Sequence, residues 1–142
     1  MKRYLICLCL FFSLGYSIAQ QAALKAGNKV FVENTSKNEN AIHTAEQLEA
    51  QLKEWGYWKV VDKKEAADFQ IKIDVTASKG ITLTSWGGTS VMLVAKLVDS
   101  KGEVMWESNA YKSSPNGTNG FNSSKAVVNK LIRELKSKFA GK

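Results

Sequence analysis

An α+β domain is expected from three features of this 142-residue chain. A strand-like run, a helical stripe and a second strand-like run follow one another early on. A stretch of clean period-two alternation comes next, and an amphipathic helix closes the chain. The expected order is β-α-β-β-β-β-α, giving a mixed sheet of about five strands with two helices packed on one face.

The chain opens "MKRYLICLCLFFSLGYSIAQ": Lys2 and Arg3, an apolar run over residues 4–14, then the small-residue pattern Ser17-Ile18-Ala19. That order is the layout of a secretory signal peptide. Its apolar run falls short of the roughly 20 residues a membrane span needs. Residues 1–19 are therefore assigned as the signal, residues 20–28 as a short tether and residues 29–142 as one α+β domain. Cleavage is placed after Ala19 or Gln20. Cys7 and Cys9 lie inside the apolar run and not at its end, so the expected product is exported, periplasmic or secreted, without a lipid anchor.

Beyond Cys9 no cysteine remains, which excludes a disulfide framework, a zinc-thiolate cluster and a cysteine nucleophile from the exported part. Roughly 120 residues are left, the usual size of one domain with an ordinary core. Without Lys2 and Arg3, the twenty basic residues fall to eighteen against thirteen acidic ones, a surplus of five. For an exported chain that moderate excess points to acidic envelope partners, an anionic lipid surface or cell-wall polymer, and not to nucleic acid.

Each element follows from its own pattern. "KVFVE" at residues 29–33 is a brief strand, stopped by the turn-rich "NTSKNEN". Ala41, Ala45, Leu48, Leu52 and Trp55 recur at three- and four-residue spacing, one stripe of a helix that Gly56 terminates. "YWKVVD" at residues 57–62 completes a βαβ unit, whose strands should be parallel with a right-handed crossover. Phe69, Ile71, Ile73, Val75 and Ala77 then alternate with Gln70, Lys72, Asp74, Thr76 and Ser78, so one face of this strand is buried and the other wet. "ITLTSWGGTS" carries a partial strand into Gly87-Gly88, and an apolar run follows over residues 91–98.

"LVDSKGEVMWES" at residues 97–108 is a hairpin corner: Asp and Ser open the turn and Gly102 closes it with a positive φ angle. A four-residue loop, 99–102, sets Val98 opposite Glu103. The core face would then pair Leu97 with Val104, Ala95 with Trp106, Leu93 with Ser108 and Val91 with Ala110. The outer face would carry Met92, Val94, Lys96, Val98 and Met105. After "SSPNGTNGFN", Asn122 or Ser123 caps a final helix lined by Val128, Leu131, Ile132, Leu135 and Phe139.

The element order, with "AADFQIKIDV" at residues 66–75 and "AKLVDSKGEVMW" at residues 95–106, resembles a group of small bacterial envelope domains. It is similar to the amino-terminal domain of TolB and to the related domains of the curli-secretion lipoprotein CsgG and the penicillin-binding-protein activator LpoB. The shared marks are an Ala-Asp pair leading into a strand and an Asp-x-x-Gly hairpin followed by an aromatic residue. The resemblance implies helices on one face of a mixed sheet and a binding or assembly role without catalysis. The chain departs from these relatives in lacking a cysteine at the end of its leader and, against TolB, in having no room for a β-propeller.

Catalytic chemistry finds little purchase. His43 is the sole histidine and lies off the buried stripe, so it faces solvent and makes no metal site alone. Asp62, Glu65 and Asp68 lie near one another in sequence but are interleaved with Lys63 and Lys64, a solvated connection without the spacing of a calcium loop. Gly87-Gly88 lacks the P-loop pattern, and no serine sits in a nucleophile elbow. A small hydrolase is disfavoured, and no catalytic residue, cofactor or metal is assigned. Asn34, Asn116 and Asn122 open N-x-[ST] patterns that read as turn and cap chemistry.

Two surfaces remain as binding candidates. One is the outer sheet face, where Met92, Val94, Val98 and Met105, with Tyr111 nearby and Trp86 flanking, form a semi-apolar patch for another envelope protein. The other is the basic side of the last helix, Lys125, Lys130, Arg133, Lys136 and Lys138, suited to an anionic lipid or polymer.

Overall fold

The computed structural model describes residues 24–79, 89–115 and 122–141. The assigned signal, the first residues of the tether, the partial strand before Gly87, the double glycine, Trp86 and Asn116 lie outside them. The described chain runs β1 (Lys29–Asn34), α1 (Glu39–Trp55), β2 (Lys59–Val60), a 3-10 turn (Lys64–Ala66), β3 (Phe69–Lys79), β4 (Thr89–Asp99), β5 (Val104–Glu107), β6 (Tyr111–Ser113) and α2 (Ser123–Phe139). It is the expected α+β architecture, with six strands described in place of about five.

The sheet order is β2-β1-β3-β4-β5, with β6 also on β4. β1 runs parallel to both β2 and β3, and β3, β4, β5 and β6 are joined antiparallel. α1 lies over β1 and β3, and α2 over β4 and β6. Between helices and sheet, Val30, Ile71, Ile73, Leu93, Ala95, Leu97, Leu48, Leu52, Val128, Leu131 and Leu135 are fully buried. One continuous apolar layer thus supplies most of the stability.

Both helices begin where a side chain, and end where a backbone N–H, satisfies orphan backbone groups. Asn38 accepts the Ala41 N–H at 2.9 Å, and Asn122 accepts the Lys125 N–H at 2.9 Å. Gly56, at φ 66°, donates its N–H to the Leu52 carbonyl at 3.0 Å. α1 also buries Thr44, whose hydroxyl donates to the Asn40 carbonyl at 2.6 Å; its polar side chain hid it from the apolar stripe.

The second strand is far shorter than residues 57–62, because Tyr57 and Trp58 are drawn into an aromatic cluster. Trp58 is 1% exposed and meets Phe69 edge-on at 4.9 Å and Phe139 at 5.3 Å between ring centroids. Trp55 stacks on Tyr57 at 4.9 Å, and the Tyr57 hydroxyl donates to the Phe139 carbonyl at 2.7 Å. The tether is shorter too. Leu24 is buried in the core and Gly27 N–H donates to the Tyr57 carbonyl at 2.7 Å, so the fold is already under way before Lys29.

The hairpin corner is present with a corrected register. Asp99 N–H donates to the Glu103 carbonyl at 3.0 Å, Gly102 N–H donates to the Asp99 carbonyl at 3.1 Å, and Gly102 sits at φ 91°. Asp99 is thereby inside the ladder, and its Oδ1 also accepts the Lys101 and Glu103 N–H groups. Val98 now pairs with Val104, a register irregularity takes up Met105, and Leu97 pairs with Trp106. The expected pairs of Leu97 with Val104 and Ala95 with Trp106 are replaced for that reason. Farther along, Ser108 stands beside Ala95, Leu93 pairs with Tyr111 and Val91 with Ser113. The single expected strand is broken where the Ser108 hydroxyl, accepting the Ala95 N–H at 2.9 Å, takes the place of a backbone group.

Candidate functional site

The shifted register redistributes the semi-apolar patch. Val98 is 3% exposed, beside the buried Gln70, and Phe31 and Val104 complete that row of the outer face. Met105 and Tyr111 pack against the core, Tyr111 opposite the fully buried Leu93. Val98 is thus closed off, while Met105 and Tyr111 are half-buried and turned toward the core. Met92 and Val94 do remain on the uncovered face, half-buried, opposite Thr76 and Asp74 of β3, and Lys112 of β6 flanks Met92.

A charged row crosses the same face. Glu33, Lys72, Lys96 and Glu107 occupy successive strands in register. Lys72 Nζ lies 3.1 Å from Glu33, and Lys96 Nζ lies 3.5 Å from Glu107. The two lysines stand directly opposite one another, and each flanking glutamate offsets their repulsion. Sequence alone concealed this row, since it depends on the register of four strands; the one available signal was Lys72 on the wet side of an alternating strand.

The basic side of α2 is not one patch. At about 100° per residue, Lys125 and Lys136 return to the same side of the helix. Both line a groove of about 390 Å³ between α1 and α2. Lys130 turns the other way and donates to the Lys112 carbonyl at 2.7 Å. Arg133 and Lys138 are exposed at further angles.

Of the three weighed acids, Asp62 and Glu65 are exposed and Asp68 is structural. Asp68 Oδ2 accepts the Lys29 backbone N–H at 2.7 Å and the Asn28 side-chain amide at 3.2 Å, while Asp68 N–H donates to the Lys29 carbonyl. The Lys29 N–H, and after it the Asn28 amide, holds this carboxyl below the usual carboxylate range. His43 is solvent-facing, with Glu46 at 3.3 Å and Glu39 at 4.0 Å. Among the described residues no three metal-ligating side chains come together, and no helix is long and apolar enough to cross a membrane.

Fold and surface together define a small α+β domain with both described helices on one side of a mixed sheet and, among the described residues, no helix over the other. No family model and no curated protein matches the chain. Solved structures do share the fold. The PelC dodecamer from Paraburkholderia phytofirmans is 20% identical, with a TM-score of 0.55 over 80% of this chain and 89% of that one. Lipoprotein GNA1162 from Neisseria meningitidis is 17% identical, with a TM-score of 0.50 over 81% and 99%. Uncharacterised lipoprotein B from Nitrosomonas europaea is 14% identical, with a TM-score of 0.50 over 90% and 92%. The coarser resemblance, to a fold shared with small bacterial lipoproteins, stands, and these structures do not bear on the likeness to TolB, CsgG and LpoB.

Proposed function

We propose that this chain is a non-enzymatic binding module of the bacterial cell envelope that meets a protein partner through the open sheet face around Met92 and Val94. The observation that carries the reading is the one-sided packing. Both helices lie over one face, and the other presents Met92, Val94 and the ion-paired Lys72 and Lys96 with no described helix above them. Alternating apolar and charged rows suit an interface with a small apolar centre and a polar rim.

The leader-like amino terminus and the lipoprotein relatives support an envelope location. Those relatives weigh against an unanchored product, and the intact mass of the processed protein decides between cleavage near Ala19 and a lipidated form. PelC is described as a dodecamer, which makes a second copy of this chain the first partner to test. Purified protein is cross-linked through its lysines, alone and then with the envelope protein that it retains, and each partner is rebuilt from purified components. Links at Lys72 or Lys96 that vanish in Val94→Asp, with an unchanged melting temperature, are the expected result. Links that persist in that variant refute the surface.

A further inference from the structure

The seam between the two helices is built for a ligand of different chemistry. α1 and α2 run side by side in the same direction, bridged midway where Gln51 Nε2 donates to Asn129 Oδ1 at 2.6 Å. Helix seams are ordinarily filled with apolar side chains. On its solvent side this one opens into the groove of about 390 Å³, the size range of small-ligand sites. Its middle is lined by the amides of Gln47, Gln51 and Asn129, which offer both donors and acceptors. Ile132, 5% exposed, and Trp55, held by its stack on Tyr57, give it an apolar floor and an aromatic wall.

Charge narrows the ligand. Lys125 and Lys136 stand three helical turns apart, about 16 Å along the axis at 1.5 Å per residue. With their backbone positions that far apart, the two lysines are better placed to meet charges spaced along an extended chain than one compact anion. Glu54 also borders the groove, leaving one net positive charge there, a poor match to a densely phosphorylated polymer. Amides beside an aromatic ring suit hydroxyl and N-acetyl groups on pyranose rings, and an ammonium group suits an isolated carboxylate.

We infer that this groove binds an extended, sparsely charged acidic polysaccharide. The sheet face is a separate surface, so the two assignments stand or fall independently.

The probe is a hexasaccharide of alternating N-acetylglucosamine and glucuronic acid, titrated into the full-length processed protein by calorimetry and by amide NMR. Saturable binding is expected, with the shifted resonances confined to the facing sides of α1 and α2. The double variant Lys125→Gln with Lys136→Gln should bind about tenfold more weakly, as two partly solvated ion contacts are lost. Gln51→Ala should weaken binding without lowering the melting temperature by more than a few degrees. Arg133→Gln with Lys138→Gln, and Val94→Asp, should leave affinity unchanged. Absence of saturable binding, equal loss in the Arg133/Lys138 variant, or equal affinity for polyphosphate or for vesicles of anionic phospholipid would each overturn the inference.

Discussion

Asp68 reinforces the start of the β1–β3 ladder, where the parallel part of the sheet meets the antiparallel part. Its carboxylate and its backbone N–H together clamp Lys29 at the start of β1, thirty-nine residues away. Because its folded pKa is lowered, the stability it contributes is present above the unfolded carboxyl value of about 3.9 and is lost as pH falls through the folded value. The melting temperature of Asp68→Asn should therefore lie below that of the wild type at pH 6, with the gap narrowing toward pH 3. The absence of a gap at any pH would assign the clamp to the backbone bond alone. Ser108 carries a different lesson. The expected register set it opposite Leu93, while its hydroxyl in fact satisfies the Ala95 N–H. Ser108→Ala should cost about 1–3 kcal/mol in denaturant unfolding, the penalty for an orphaned buried amide. That role was not legible, since a ladder bond made by a side chain is visible only once the register is set.

At the level of elements, both helices were legible from apolar spacing and capping residues, and β3 from strict alternation. Periodicity reports which side of an element is buried, and these three are buried on one side. The pattern misled where neighbours decided the outcome. Tyr57 and Trp58 read as strand residues, yet their rings are worth more in the cluster with Phe69 and Phe139. In the β4–β5 hairpin one residue entering the ladder and one irregularity moved every later pair. The binding candidates inherited part of that error: Met105 and Tyr111 turn toward the core, whereas Val98 keeps its expected face and is buried there beside Gln70. The difference is measurable. Val98→Asp places an unpaired carboxylate at a site 3% exposed and should unfold the domain or cost several kcal/mol, on the order of 3–5. Met92→Asp, on the half-buried position beside Lys112, should shift the melting temperature by only a few degrees. Equal loss in both variants would mean that the outer face is closed along its whole length.

For the molecule as a whole, fold class was legible from the order of elements, and function was not, because the sequence carries no reactive constellation and a binding surface depends on the register of several strands. The bond from the Tyr57 hydroxyl to the Phe139 carbonyl has a consequence in time. It spans eighty-two residues and joins the first helical unit to the closing turn of the last helix. β1 finds its strand partners only downstream, in β2 and β3, and the aromatic end of the core lacks a wall until Phe139 arrives. A ribosome delivers these parts in sequence, and closing such distant contacts is slow. The aromatic end of the core therefore cannot close until synthesis of the chain is nearly finished.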